Sequence, residues 1–303
     1  MATLDLPSAQ DAAAAAPRGR TREGFIRTLR RIPLHILIIV ICLLWMTPTV
    51  ALLVSSFRPP AQVAFTGWWE ALTPPFDFTL QNYERVLTTN NLGRSFVNSL
   101  FVTIPATVIP ILIAAYAAYA FAWMEFPGRQ WLFLTVVALL VIPLQMTLIP
   151  VLRLLTDLGL TGTFLGIWLA HTGYGLPLAI YLLRNFFSSL PKEMFESASL
   201  DGAGPATIFF RLVLPTSVPA LASVAIFQFM WVWNDLLIAL VYLGGSPDVA
   251  PLPVTVSNLV NSLGQDWQLL TAAAFISMAL PLLVFFALQR YFVTGILAGS
   301  VKE

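Results

Sequence analysis

Charged residues are absent from long runs of the chain. Six stretches carry no Asp, Glu, Lys or Arg over lengths that matter: 32–57, 95–124, 130–152, 158–183, 212–234 and 267–289. A helix that crosses a bilayer needs about 20 mostly apolar residues, so the pattern predicts six transmembrane helices. The next longest charge-free run, 249–265, holds Pro251, Pro253, Asn258, Asn261 and Gly264 and reads as a loop. Prolines interrupt most of the spans (Pro48, Pro105, Pro110, Pro143, Pro150, Pro177 and Pro281). Bundled membrane helices tolerate proline because neighbours satisfy the carbonyls it frees. Kinks of this kind suit a moving pathway, although proline is also simply commoner in membrane helices than in soluble ones.

Composition closes off the soluble classes. Only 10% of the 303 residues are charged and 58% are hydrophobic, with a mean hydropathy of +0.80. A soluble domain carries about 25% charged residues. The net charge of +1 lacks the basic excess of a nucleic-acid binder, and the single cysteine, Cys42, can form no internal disulfide. The expected fold is all-α and polytopic. Arg18, Arg20, Arg22, Arg27, Arg30 and Arg31 precede the first span; Arg129, Arg184, Lys192, Arg211, Arg290 and Lys302 fall on the same side. Only Arg58, Arg85, Arg94 and Arg153 fall on the other. Positive charge collects on the cytoplasmic side, so both termini are expected there, with span one an uncleaved anchor. The expected organisation is a cytoplasmic, disordered tail over 1–30, a six-helix domain over 31–290 and a cytoplasmic tail over 291–303. The outside loops are 57–94, rich in Pro and Trp, and 244–266.

Catalytic constellations are missing. His35 and His171 stand in different spans, and no H-E-x-x-H, G-x-S-x-G or G-x-x-x-x-G-K-[ST] occurs. No metal site is expected. An ion-coupled carrier would bury several ionisable groups; here Asp235 alone lies clearly within a span, with His171 second. A transporter of this composition would draw its energy from another chain.

The inside loop, 187–216, carries the most information. Its sequence from Ser189 to Pro205 predicts a short helix opened near Pro191 with Ser189 as a nearby cap, a break at Gly202 and Gly204, and a second helix opened by Pro205. Met194, Phe195 and Ala198 share one face at helical spacing. Glu196, Ser197 and the small residues near Gly202 leave room for another protein. An ordinary interfacial loop is the plainer alternative.

Glu196-Ser-Ala-x-x-x-Gly202, followed by Leu212-x-Leu214-Pro215, resembles the EAA loop of binding-protein-dependent ABC importers. Asn98-Ser99-Leu100, Ile142-Pro143, Ile149-Pro150, Leu183-Arg-Asn-Phe-Phe187, Trp233-Asn-Asp235 and the tail from Gln289 through Gly295 and Gly299 to Lys302 are similar to one branch, the carbohydrate-uptake permeases of the MalG type. Ser197 stands where that family usually has Ala, and Glu303 where many members have Gly. The resemblance implies a type I importer permease without an ATPase site or cofactor of its own, in a bacterial inner membrane. It implies a heterodimer with a second permease, two cytoplasmic ATPase subunits that bind ATP and Mg, and an extracytoplasmic sugar-binding protein.

By the same resemblance Glu196, Ser197, Ala198, Asp201, Gly202 and Ala203 would contact the ATPase, and the tail with Arg290, Gly295, Gly299 and Lys302 would reach between its subunits. Pro251, Pro253, Asn258 and Asn261 would meet the binding protein. Gln228, Trp231, Trp233, Asn234 and Asp235 are candidates for a sugar path, since amide, carboxylate and aromatic groups together suit a neutral saccharide. Interfacial tryptophans and a structural acceptor at Asp235 are the alternative. The implied substrate is a di- or oligosaccharide or glucoside. A permease for a non-sugar solute, or an ion-coupled carrier, remains the competing class.

Overall fold

The computed structural model describes residues 19–89, 91–259 and 266–300, with side chains described over 32–89, 91–259 and 266–290. Every regular element among them is helical. The chain falls into two units, Met1–Val54 and Ser55–Glu303, and the boundary lies inside the first helix, α1 (Gly19–Ser56). Apart from a single 3-10 turn over Trp68–Leu72, the remaining helices, in order, are α2 (Pro60–Phe65), α3 (Gln81–Thr88), α4 (Leu92–Trp123), α5 (Arg129–Leu139), α6 (Leu144–Asp157) and α7 (Phe164–Ser188). They continue with α8 (Lys192–Leu200), α9 (Pro205–Thr216), α10 (Val218–Trp233), α11 (Leu237–Tyr242), α12 (Leu252–Asn258) and α13 (Trp267–Ser300).

Three stretches are long and apolar enough to cross a membrane: Ile32–Ser56, Leu92–Trp123 and Trp267–Arg290. The expected spans at 130–152 and 212–234 are instead bent pairs, α5 with α6 at 103° and α9 with α10 at 74°. Counting each pair as one span gives five. The breaks have a local cause. Pro143 sits in extended backbone just before α6, and Pro215 and Pro219 flank the break at Ser217, where a missing N–H interrupts the helical ladder. The expected span at 158–183 is α7, a single helix of 25 residues made more polar by His171, Thr172 and three glycines. A six-span count is consistent with this set. The helical backbone of α13 also runs through 291–300, the region expected as a tail.

Within the second unit the most extensive helix pairing is α4 against α7, followed by α10 against α13 and α4. Small residues make the approach possible: Ala106, Ala114 and Ala118 on α4 are fully buried. On α7, a β-carbon at Gly175 would lie 2.5 Å from the Gln228 side-chain oxygen, so any larger residue there would displace the Gln228 amide.

Prolines then dictate the polar contacts. Pro105 and Pro110 lie inside α4 and Pro281 inside α13. Proline has no N–H, so the carbonyl four residues earlier loses its helical donor. Those carbonyls belong to Phe101, Ala106 and Ser277, and each receives a side-chain N–H from a neighbouring helix. The Trp168 indole donates to Phe101 at 2.8 Å, the Gln228 amide to Ala106 at 3.0 Å and the Trp233 indole to Ser277 at 3.0 Å. These three stitches tie α4 to α7, α4 to α10 and α10 to α13.

A buried carbonyl left without a donor costs about 1–3 kcal/mol. Gln228→Leu is therefore expected to lower stability by about that amount, read as the thermal midpoint of the detergent-solubilised protein. Adding Pro110→Ala, which restores the helical N–H to Ala106, should recover most of the loss.

Candidate functional site

The 187–216 loop forms one end of the site. In α8 the buried Phe195 ring stacks on Trp123 at 3.6 Å between centroids, and Met194 and Ala198 pack on the same apolar cluster. Trp123 ends α4, and its indole donates to the Phe187 carbonyl of α7 at 2.8 Å. A single residue thus binds α8 to the ends of both major helices. Helix α8 stops in a Schellman turn. Gly202 takes φ +79°, its N–H donates to Ser199, and the Ala203 N–H reaches back to the Ala198 carbonyl, each at 3.0 Å. Nothing lies within 4 Å of where a Gly202 β-carbon would be, so within this chain it is the positive φ alone that favours glycine. Pro205 opens α9 as expected, and its carbonyl accepts from the Tyr119 hydroxyl of α4 at 3.2 Å. Ser189 behaves differently from expectation. Its hydroxyl donates back to the Phe186 carbonyl, finishing α7, and α8 begins without a side-chain cap.

What this loop leaves outside is acidic and apolar together. Glu196, Ser197 and Asp201 are exposed, Glu196 pairs with Lys192 one turn away at 3.1 Å, and Leu200 is 89% exposed. Trp123, Lys192, Phe195, Glu196, Ser199 and Leu200 line an open depression of about 550 Å³. Arg290 is exposed near the far end of α13; Gly295 and Gly299 lie on its continuation, and Lys302 is outside the described residues.

The five span-five candidates separate. Gln228 and Trp233 are buried and spend donors on the stitches; Trp233 also lies between Phe229 and Phe96. The Asn234 amide folds back onto the Met230 carbonyl. Asp235 accepts from the backbone N–H groups of Ile238 and Ala239 at 3.2 and 2.9 Å, which caps α11. Its other neighbour is His171 of α7, 3.7 Å away and fully buried, beyond hydrogen-bond range. Open space is reached by Asn234, which is exposed, by Gln228 on one cavity and most extensively by Trp231. His171 meets its ring edge-on at 5.2 Å, and it lines two adjoining cavities of about 540 and 310 Å³ that also share Tyr174 and Leu178.

Residues outside the expected site complete the picture. A hydroxyl chain runs from Thr147 to Tyr174 to Tyr242 and on to the Leu148 carbonyl. At the opposite end, α4 holds the 244–266 loop. Asn98 donates to the carbonyls of Asp248 and Ala250, Ser99 accepts from the Leu252 N–H, Ser95 meets Thr255, and Arg94 pairs with Asp248 at 2.9 Å. Pro251 is buried, Pro253 half-buried and Asn258 exposed, while Asn261 lies outside the described residues. In the 57–94 loop, buried Arg58 donates to the carbonyls of Gln62 and Thr66, and the Asn82 amide to those of Ser56 and Arg58. The polar types in Asn98-Ser99 were visible in sequence; their partners, some 150 positions away, were not.

Comparison with known proteins gives a consistent result. Residues 95–297 match the family described as binding-protein-dependent transport system inner membrane component. The osmoprotective compounds uptake permease protein GgtD of Synechocystis sp. is 60% identical over 277 residues, covering 90% of this chain and 93% of the relative. The alpha-glucoside transport system permease protein AglG of Rhizobium meliloti is 59% identical over 240 residues, covering 78% of this chain and 63% of AglG. Among solved structures, a bacterial ABC transporter that imports the acidic polysaccharide alginate superposes with a TM-score of 0.74 at 22% identity, over 91% of this chain and 99% of that one; at that identity the likeness is one of fold.

Asp235 can be tested for capping against any direct role. Asp235→Ala is expected to cost about 1 kcal/mol of stability through the lost cap, while Asp235→Asn, which keeps an acceptor, should lose a few tenths. Thermal unfolding of the two variants measures the difference. Loss of uptake in a fully stable Asp235→Asn complex would instead assign the carboxylate to the transport path.

Proposed function

The chain belongs to the binding-protein-dependent transport system inner membrane component family, and on that premise we propose that it is the permease subunit of an ATP-driven sugar importer. The substrate class is a di- or oligosaccharide or a glucoside, a reading supported by the relative named for alpha-glucoside transport. The subunit forms half of the translocation path. Its partners are a second related permease, two cytoplasmic ATPase subunits that hold ATP and Mg, and an extracytoplasmic sugar-binding protein. Both termini are cytoplasmic.

The observation that carries the coupling role is α8 itself. It is short, acidic and exposed on one side, yet its other side is fixed by Phe195 to Trp123 and through Trp123 to Phe187. A cytoplasmic ATPase gripping Glu196, Ser197 and Asp201 would pull on the ends of α4 and α7 together. Tyr119 and the stacking of Tyr116 on Phe209 extend the attachment to α9. Closure of the ATPase dimer thereby biases the bundle towards its outward-open state, and hydrolysis releases it. At the other end, the loop held by Asn98, Ser99 and Arg94 faces the binding protein.

Gly202 supplies the test. Replacement by Trp should abolish uptake in the reconstituted complex while the subunit stays membrane-inserted, because the ring would fill space that this chain leaves open to a docked partner, with the strain of positive φ controlled by a second variant. Gly202→Asn, which tolerates positive φ, should retain most uptake. Normal uptake by the Trp variant would defeat the coupling role.

A further inference from the structure

We propose that the paired cavities beside Tyr174 and Trp231 are this subunit's own contact for an uncharged glycosyl unit, with the Trp231 indole N–H and the Gly173 carbonyl as its polar pair. The assignment rests on the importer reading and deepens it. Pro105, Pro110, Pro150, Pro177 and Pro281 each free a carbonyl in the second unit, and three of the five carbonyls are stitched. Met146 and Gly173 have no side-chain donor among the described residues, and of the two only Gly173 lines the larger cavity. Pro177 withdraws the helical donor from the Gly173 carbonyl, and no side chain donates to it among the described residues. Gly173 has no side chain, so its contribution to the 540 Å³ cavity wall is backbone.

The wall of the same cavity holds a donor in the same condition. Trp231 lines both cavities, and its indole N–H makes no hydrogen bond among the described residues, unlike those of Trp123, Trp168 and Trp233. A hydroxylated ring offers partners to both groups, because each sugar hydroxyl donates and accepts. Tyr174, held by Thr147 and Tyr242, supplies a second aromatic wall for the C–H faces. None of the residues lining either cavity is charged, so an anionic sugar would enter without a counter-charge. The size, about 540 Å³ with a further 310 Å³ adjoining, falls in the range of small-molecule sites, roughly 300–1,000 Å³. A lipid tail would fit the apolar walls but satisfy neither polar group.

The test uses the complete importer in proteoliposomes with its binding protein, and labelled trehalose, sucrose and maltose as probes. Trp231→Phe keeps a ring and removes the N–H; Pro177→Ala returns a helical donor to Gly173. Each is expected to cut uptake of the best-transported probe about tenfold, the loss of roughly one hydrogen bond, while binding-protein-stimulated ATP hydrolysis and complex assembly stay at the wild-type level. A merely structural role would lower assembly or ATP hydrolysis in step with uptake, and unchanged uptake in both variants would overturn the assignment. So would an acyl chain in these cavities in a cryo-EM map of the sugar-loaded complex. Failure of the wild-type complex to import any of the three probes would instead count against the sugar-importer reading itself.

Discussion

A proline inside a membrane helix leaves one carbonyl without its donor, and in hydrocarbon there is no water to replace it. That requirement organises the second unit of this protein. Trp168, Gln228 and Trp233 meet it at Phe101, Ala106 and Ser277, and in doing so they settle which helices lie side by side. Apolar packing alone could not. Helix faces rich in Ala and Leu slide past one another at little cost, and lipid tails compete for them equally. A donor that must reach one particular carbonyl fixes both the neighbour and the register. The prolines that weaken α4 and α13 as isolated helices therefore strengthen the bundle as an assembly.

The same contacts give a continuous route from α8 to the cavity walls. Phe195 rests on Trp123, Trp123 is bonded to the end of α7, and α4 is bonded to α7 again through Trp168 and to α10 through Gln228. Trp231 and Tyr174 lie on those two helices. Movement of α8 would then shift both cavity walls as parts of rigid elements, since packed cores switch between arrangements and do not deform continuously. The π-helical turn of α9 over Phe209–Val213 and the break at Ser217 stand between α8 and α10, so the covalent route is interrupted where the hydrogen-bonded route through α4 is intact.

Much of this architecture was legible in the sequence. Charge-free runs located every long helix, because ionised groups are excluded from hydrocarbon whatever the helices do next. Gly202 was also legible: a residue at positive φ just after a helix leaves a local signature, and the turn depends on nothing distant. The bends at Pro143 and Ser217 were not, since proline marks a possible kink without saying whether the ladder closes around it. Gln228 and Trp233 read as path residues for a related reason. A polar side chain in an apolar span must have a partner, but sequence cannot tell a solute from a carbonyl two helices away. Tyr174 gave no signal, because its hydroxyl acquires meaning only beside Thr147 and Tyr242.

The difference between stitched and unstitched carbonyls bears on transport itself. A translocation contact has to be favourable enough to admit a solute and weak enough to release it. A carbonyl already bonded to a fixed indole or amide, as at Phe101, Ala106 and Ser277, offers a solute nothing without first breaking the bundle. A carbonyl freed by Pro177 in a cavity wall that Trp231 shares offers one exchangeable bond against walls that are mostly apolar. Holding those three positions permanently and leaving Gly173 to whatever passes keeps the helices in register while a solute comes and goes.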